Sequence, residues 1–140
     1  MKELEAQEAP TVSHRVLIVD DEVTIRIALR RYFVRIGWMV DEAPNGESAL
    51  DLLLQNGQQD GTLPYSVVIC DLRMPRLSGI QLYNRLRVAR PEILSRMVFS
   101  TGDVATDEAA EFVRTTASAV LQKPFELSAL RAVVDRIVAG

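Results

Sequence analysis

A chain of 140 residues is most simply one domain and is long enough to bury a core. Its net charge of -3, from 16 Lys and Arg against 19 Asp and Glu, gives no field for steering it onto nucleic acid. No apolar run approaches the roughly 20 residues of a membrane span, residues 1–13 lack the apolar stretch of a signal peptide, and the single Cys70 cannot close an internal disulfide, so a reducing, cytoplasmic setting is expected.

Residues 1–13 carry Glu3, Glu5, Glu8 and Pro10 with few large apolar groups and are predicted to be a flexible tail ahead of a domain over 14–140. Val16-Leu17-Ile18-Val19 reads as the first strand and stops at Asp20-Asp21. A 3.6-residue period follows, with Ile25, Ala28, Leu29, Tyr32, Phe33 and Ile36 on one face and Gly37 as the stop. Arg26, Arg30, Arg31 and Arg35 form a basic face, read as solvated, with docking of a partner as the functional option. Trp38-Met39-Val40 is predicted as a short strand, Asn45-Gly46 as punctuation, and residues 47–55 as a helix. Residues 56–64, rich in Gly, Gln and Asp, read as a long loop without a catalytic role.

Val67-Val68-Ile69-Cys70 is a strand ending on Asp71, and Cys70 within it is a small core residue. Pro75 and Gly79 bracket a loop, and a helix with Ile80, Tyr83 and Leu86 on one face stops at Arg90-Pro91. Met97-Val98-Phe99-Ser100 ends on Thr101. Thr106 is the predicted N-cap of the next helix, whose Asp107, Glu108 and Glu111 suit the positive end of its dipole. Ala119-Val120-Leu121-Gln122 ends on Lys123-Pro124, and the last helix, about 127–138, turns Leu127, Leu130, Val134 and Ile137 to one side. Five βα units of this kind predict an α/β fold, a parallel sheet with helices on both faces. Ligands bind beyond the carboxyl ends of such strands, where the strand order reverses.

The polar residues at those ends make one chemistry. Asp20, Asp21 and Asp71 on one edge would repel one another, and a divalent cation with oxygen ligands relieves the conflict. Either Asp20 or Asp21 alone would be read as a helix cap; with Asp71, the three favour a metal. Asp71 is the candidate nucleophile toward a phosphoryl donor. Lys123 supplies a compact cation and Thr101 a hydroxyl donor for the phosphoryl oxygens. Gly102 leaves the hydroxyl uncrowded, and a cis bond before Pro124 would aim Lys123 into the cleft. His14, the only histidine, supports neither a catalytic triad nor a zinc site.

Asp20-Asp21-Glu22, Asp71-Leu72-Arg73-Met74-Pro75, Gly79, Thr101-Gly102 and Lys123-Pro124-Phe125, in that order and spacing, resemble the receiver domain of two-component response regulators over residues 14–138. The resemblance implies a flavodoxin-like (βα)5 fold, Mg²⁺ (or Mn²⁺) as cofactor, and a sensor histidine kinase or histidine phosphotransfer protein as the partner that phosphorylates Asp71. It implies that Asp21, Asp71 and the backbone carbonyl of Arg73 bind the metal, with Asp20 acting near it. It makes Thr101 and Lys123 the phosphoryl-binding pair, and residues 105–138 the surface that signals to a downstream protein. Arg73, Met74, Gly102 and Asp103 flank the phosphoryl site, and Arg73 is expected to pair with Asp103 and hinder an attacking water. Val120 stands where many members carry a switch aromatic.

The chain is therefore expected to be a phosphoacceptor rather than an enzyme, limited to self-phosphorylation from phosphohistidine and slow autodephosphorylation. It would be a stand-alone regulator or a receiver excised from a hybrid kinase, with no output domain, no nucleic-acid partner and no membrane insertion. A degenerate, binding-only receiver is the alternative. An aspartyl-nucleophile phosphatase is weaker, because Arg73 stands where that class needs a second Asp.

Overall fold

In a computed structural model, which describes residues 14–55, 64–102 and 106–140, five strands and five helices alternate along the chain. They are β1 (Arg15–Val19), α1 (Val23–Arg35), β2 (Met39–Ala43), α2 (Gly46–Gln55), β3 (Val67–Asp71), α3 (Gly79–Ala89), β4 (Met97–Thr101), α4 (Asp107–Thr115), β5 (Ala119–Gln122) and α5 (Leu127–Ala139). A 3₁₀ turn, Pro91–Arg96, precedes β4. The sheet is parallel throughout, in the order β2-β1-β3-β4-β5. The order reverses between β1 and β3, so the crevice above those two strands is the switch point.

Strand alternation sends each sheet face into its own core. Val16, Ile18, Val67, Ile69 and Val98 pack with Leu29 and Phe33 of α1 and Leu130 and Val134 of α5. Leu17, Val19, Val68, Cys70, Met97 and Phe99 pack with Leu53 of α2, Leu82 and Leu86 of α3 and Phe112 of α4. Each large side chain buried this way contributes roughly 1.5–3 kcal/mol of transfer free energy.

Most predicted elements lie where the pattern put them, with instructive offsets. β2 runs past Val40 to Ala43, because its acidic residues are paired. Arg15 bonds Asp41 at 3.2 Å, and Arg26 and Arg30 bond the two carboxylate oxygens of Glu42 at 3.1 and 2.8 Å. That also corrects the solvated reading for Arg26 alone, whose side chain is 17% exposed and fills the seam between α1 and β2, whereas Arg30, Arg31 and Arg35 are exposed as expected. On α5, Leu127 is exposed and Val133 is buried, while Leu130, Val134 and Ile137 keep the predicted face, which is therefore turned by only about 30°. On α1, Ala28 and Ile36 stay exposed.

Capping agrees with composition. Thr106 accepts the Ala109 N–H at 3.1 Å as the predicted N-cap of α4. Ser78 and Gln81 form a capping box at the start of α3. Gly37, at φ +91°, ends α1 in a conformation that L side chains rarely adopt. The expected long loop over 56–64 lies almost entirely outside the described residues.

Candidate functional site

The carboxyl edge of the sheet collects the predicted polar residues. Asp20 directly follows β1, beside Asp71 at the end of β3; Thr101 ends β4, and Lys123 follows β5. Asp20, Asp71 and Thr101 are buried, whereas Asp21 is exposed. One carboxylate oxygen from each of Asp20, Asp21 and Asp71 falls within 4.8 Å of the others. Oxygen donors at this spacing suit a hard divalent cation.

Lys123 closes the other side. Its Nζ lies 3.3 Å from Asp20 Oδ2, 3.4 Å from Asp71 Oδ2 and 3.8 Å from Glu22 Oε1. The Lys123–Pro124 peptide is cis, and the Lys123 backbone N–H donates to the Thr101 carbonyl at 2.7 Å. Thus the ammonium and the hydroxyl-bearing strand end are tied together by one main-chain bond.

The electrostatics follow from crowding. Burial, and then the charge of Asp20, push the Asp71 carboxyl above its ordinary pKa, outweighing the opposing pull of Lys123 and of the Arg73 N–H. For Lys123, burial alone would lower the pKa; Asp71 and Asp20 outweigh it, and the ammonium is held more firmly than usual. Burial, with help from Asp71 and Asp20, also raises the Cys70 thiol. Its Sγ donates to the Asp71 carbonyl at 3.3 Å, which leaves a small, unreactive core group under the site.

Neither aspartate after β1 caps α1. Glu22 occupies the N-cap position without a side-chain bond, and Asp20 Oδ1 accepts the Glu22 N–H at 2.9 Å. The loop after β3 is pinned by Gly79: a Cβ there would come within 2.6 Å of the Asp71 carbonyl oxygen and 2.8 Å of Leu72 Cα. That close approach fixes how the chain leaves Asp71.

The profile of the response regulator receiver domain matches residues 16–135. The chain belongs to this family. The transcriptional regulatory protein SrrA of Staphylococcus aureus is 37% identical over 76 residues, which cover 54% of this chain and 29% of SrrA. The matched stretch thus spans less than a third of the length of that curated relative. Among solved structures, the receiver domain of Francisella response regulator 1452 superposes with a TM-score of 0.74 at 26% identity, covering 91% of this chain and 98% of that one. A response regulator receiver protein from Pseudomonas putida gives 0.73 at 28% identity, covering 91% and 99%. Membership of this family places the chain in two-component signal transduction. Among the described residues, no helix is long and apolar enough to cross a membrane.

The remaining site residues of this receiver take different places. Arg73 is exposed, and its N–H donates to Asp71 Oδ1 at 3.4 Å; Met74 is half-buried against the core under α3 and α4. Asp103, the expected partner of Arg73, lies outside the described residues. Among the described residues, a Cβ at Gly102 would meet Lys123 Cβ at 3.9 Å, an ordinary van der Waals contact. Val120 is half-buried beside Phe99 in the β4–β5 register and packs against the core that holds Phe99 and Phe112; with Tyr83 these two rings form a group with centroids 4.9–5.9 Å apart.

Sequence reasoning overlooked two neighbours. Glu22 adds a third acidic contact to Lys123, a role hidden because it is exposed and sits at a helix start. Arg26 reaches the Asp20 carbonyl at 2.6 Å, and its only sequence signal is a place one turn into the helix after the acidic pair.

Proposed function

We propose that this receiver accepts a phosphoryl group on Asp71 from a phosphohistidine of a sensor histidine kinase or a histidine phosphotransfer protein. The observation that carries the reading is the Lys123 ammonium bridging Asp71 and Asp20 beside the three-carboxylate cluster. An Asp71 carboxylate oxygen attacks phosphorus; the P–O bond forms as the P–N bond breaks. The electron pair leaves on the imidazole nitrogen, which takes a proton from solvent. Lys123 moves from carboxylate to phosphoryl oxygen, and the Thr101 hydroxyl donates to another.

Asp20, Asp21 and Asp71, with the Arg73 carbonyl, would hold Mg²⁺, which supplies positive charge to the crowded carboxylates and the incoming phosphoryl group. An open apolar groove of about 520 Å³, lined by Ile25, Leu29, Pro124, Phe125 and Leu127, adjoins Lys123 and gives a helical donor a seat beside the acceptor. Hydrolysis returns the Asp71 carboxylate when water attacks phosphorus and the acyl P–O bond breaks, so turnover is limited to slow autodephosphorylation. The phosphorylated state is read by a downstream protein through the 105–138 surface.

Acetyl phosphate, followed by phosphate-affinity electrophoresis, tests the metal dependence of this reading. A shifted band with Mg²⁺ that is absent with EDTA is expected; equal phosphorylation in EDTA would contradict it.

A further inference from the structure

Resting on the metal reading above, the geometry points to Arg26 as a positioning residue for the metal-binding loop, acting through the Asp20–Asp21 peptide. The Asp20 residue is gripped on every polar group. Its N–H donates to the Ala43 carbonyl at 3.1 Å, its Oδ1 accepts from the Glu22 N–H and its Oδ2 from Lys123. Its carbonyl accepts the Arg26 guanidinium at 2.6 Å. That carbonyl belongs to the peptide plane leading into Asp21. Asp21 is exposed, and its carboxylate carries no hydrogen bond or ion pair among the described residues, so its aim depends on its backbone.

Arg26 is itself fixed from the far side. Its Nε donates to Glu42 Oε1 at 3.1 Å, and Glu42 Oε2 accepts from Arg30 one helical turn on. The rigid planar fork of a guanidinium thus links β2 to the β1–α1 loop, which a lysine ammonium cannot reproduce. Groups that orient metal ligands in this way typically change metal affinity by about 10–100-fold when lost.

The sign of the effect separates positioning from charge. Arg26 is a cation close to a cation site, so electrostatics alone would make its removal tighten metal binding. Mg²⁺ titrations followed by the amide chemical shifts of Asp21 and Asp71 read the outcome in the whole chain. Arg26→Met and Arg26→Lys are each expected to weaken Mg²⁺ binding by roughly tenfold. Arg30→Ala, which removes the same charge from Glu42 without touching Asp20, is expected to stay within about twofold. Unchanged or tighter binding in Arg26→Met would overturn the inference. Should that variant fail to fold, wild-type affinity in Arg26→Lys would overturn it instead. Wild-type protein that binds no Mg²⁺ would contradict the metal reading itself, whereas wild-type binding with unaltered Arg26 variants contradicts only the role of Arg26.

Discussion

Lys123 Nζ sits 3.4 Å from Asp71 Oδ2, and the pair is brought together by β3 and β5, which flank β4 in the sheet. The ammonium lies against the carboxylate proposed as the phosphoryl acceptor. It also offsets part of the repulsion between Asp71 and Asp20, whose carboxylates share the same lysine.

Ionising Asp71 in the folded chain carries a cost. Its pKa is raised, so the folded chain binds more protons than the unfolded chain between the ordinary value and the raised one. Stability therefore falls as pH climbs through that window and is fully present only below it. Metal-free Asp71→Asn is expected to melt a few degrees above wild type at neutral pH, on the order of 1 kcal/mol for a domain of this size. The gap should narrow as pH is lowered toward the ordinary carboxylate range. Calorimetric melting across pH checks both the sign and the convergence.

Removing the lysine has the opposite effect. Lys123→Met leaves Asp20 and Asp71 facing each other with no ammonium between them. A broken buried ion pair costs several kcal/mol, but Lys123 is 20% exposed, so roughly 1–2 kcal/mol is expected at neutral pH without metal. Added Mg²⁺ should recover much of that loss. Denaturant melts with and without Mg²⁺ measure it; an equal loss in both would argue against a shared acidic cluster.

Gly79 limits what the loop after Asp71 tolerates. The Cβ of Gly79→Ala would press on main-chain atoms of Asp71 and Leu72, which cannot rotate away. A destabilisation of about 1–3 kcal/mol is expected, with a displaced Asp71. Urea unfolding gives the first quantity, and the acetyl phosphate reaction rate reports the second.

The Tyr83 hydroxyl accepts the Ala117 N–H at 3.1 Å, tying α3 to the α4–β5 loop. Tyr83→Phe should cost roughly 1 kcal/mol or less and speed hydrogen exchange at Ala117. Tyr83→Ala also breaks ring packing with Phe99 and Phe112 and should cost roughly 2 kcal/mol or more. Unchanged Ala117 exchange in Tyr83→Phe would show that the bond does not hold the loop.

The central strands were legible because burial on both faces makes Val16–Val19, Val67–Cys70 and Met97–Phe99 continuously apolar. Edge strand β2 was legible only at its start: Asp41 and Glu42 look like loop residues until Arg15, Arg26 and Arg30 are seen against them. The Pro91–Arg96 turn was hidden behind a proline that reads as a stop, although proline also suits the first turn of a helix. The Ser78–Gln81 capping box, by contrast, was written in the sequence and overlooked. Strand ends placed Asp20, Asp71, Thr101 and Lys123 on one edge because a parallel sheet has one carboxyl edge. Contacts through a carbonyl, such as Arg26 to Asp20, leave no residue-type signature.

The central claim is that Asp71 is the acceptor. Peptide-mapping mass spectrometry after reaction with acetyl phosphate and Mg²⁺ tests it most directly. One added phosphoryl group on Asp71 of the wild-type chain, and none on Asp71→Asn, is expected. A phosphoryl group on another residue, or one retained by the Asp71→Asn chain, would contradict the account.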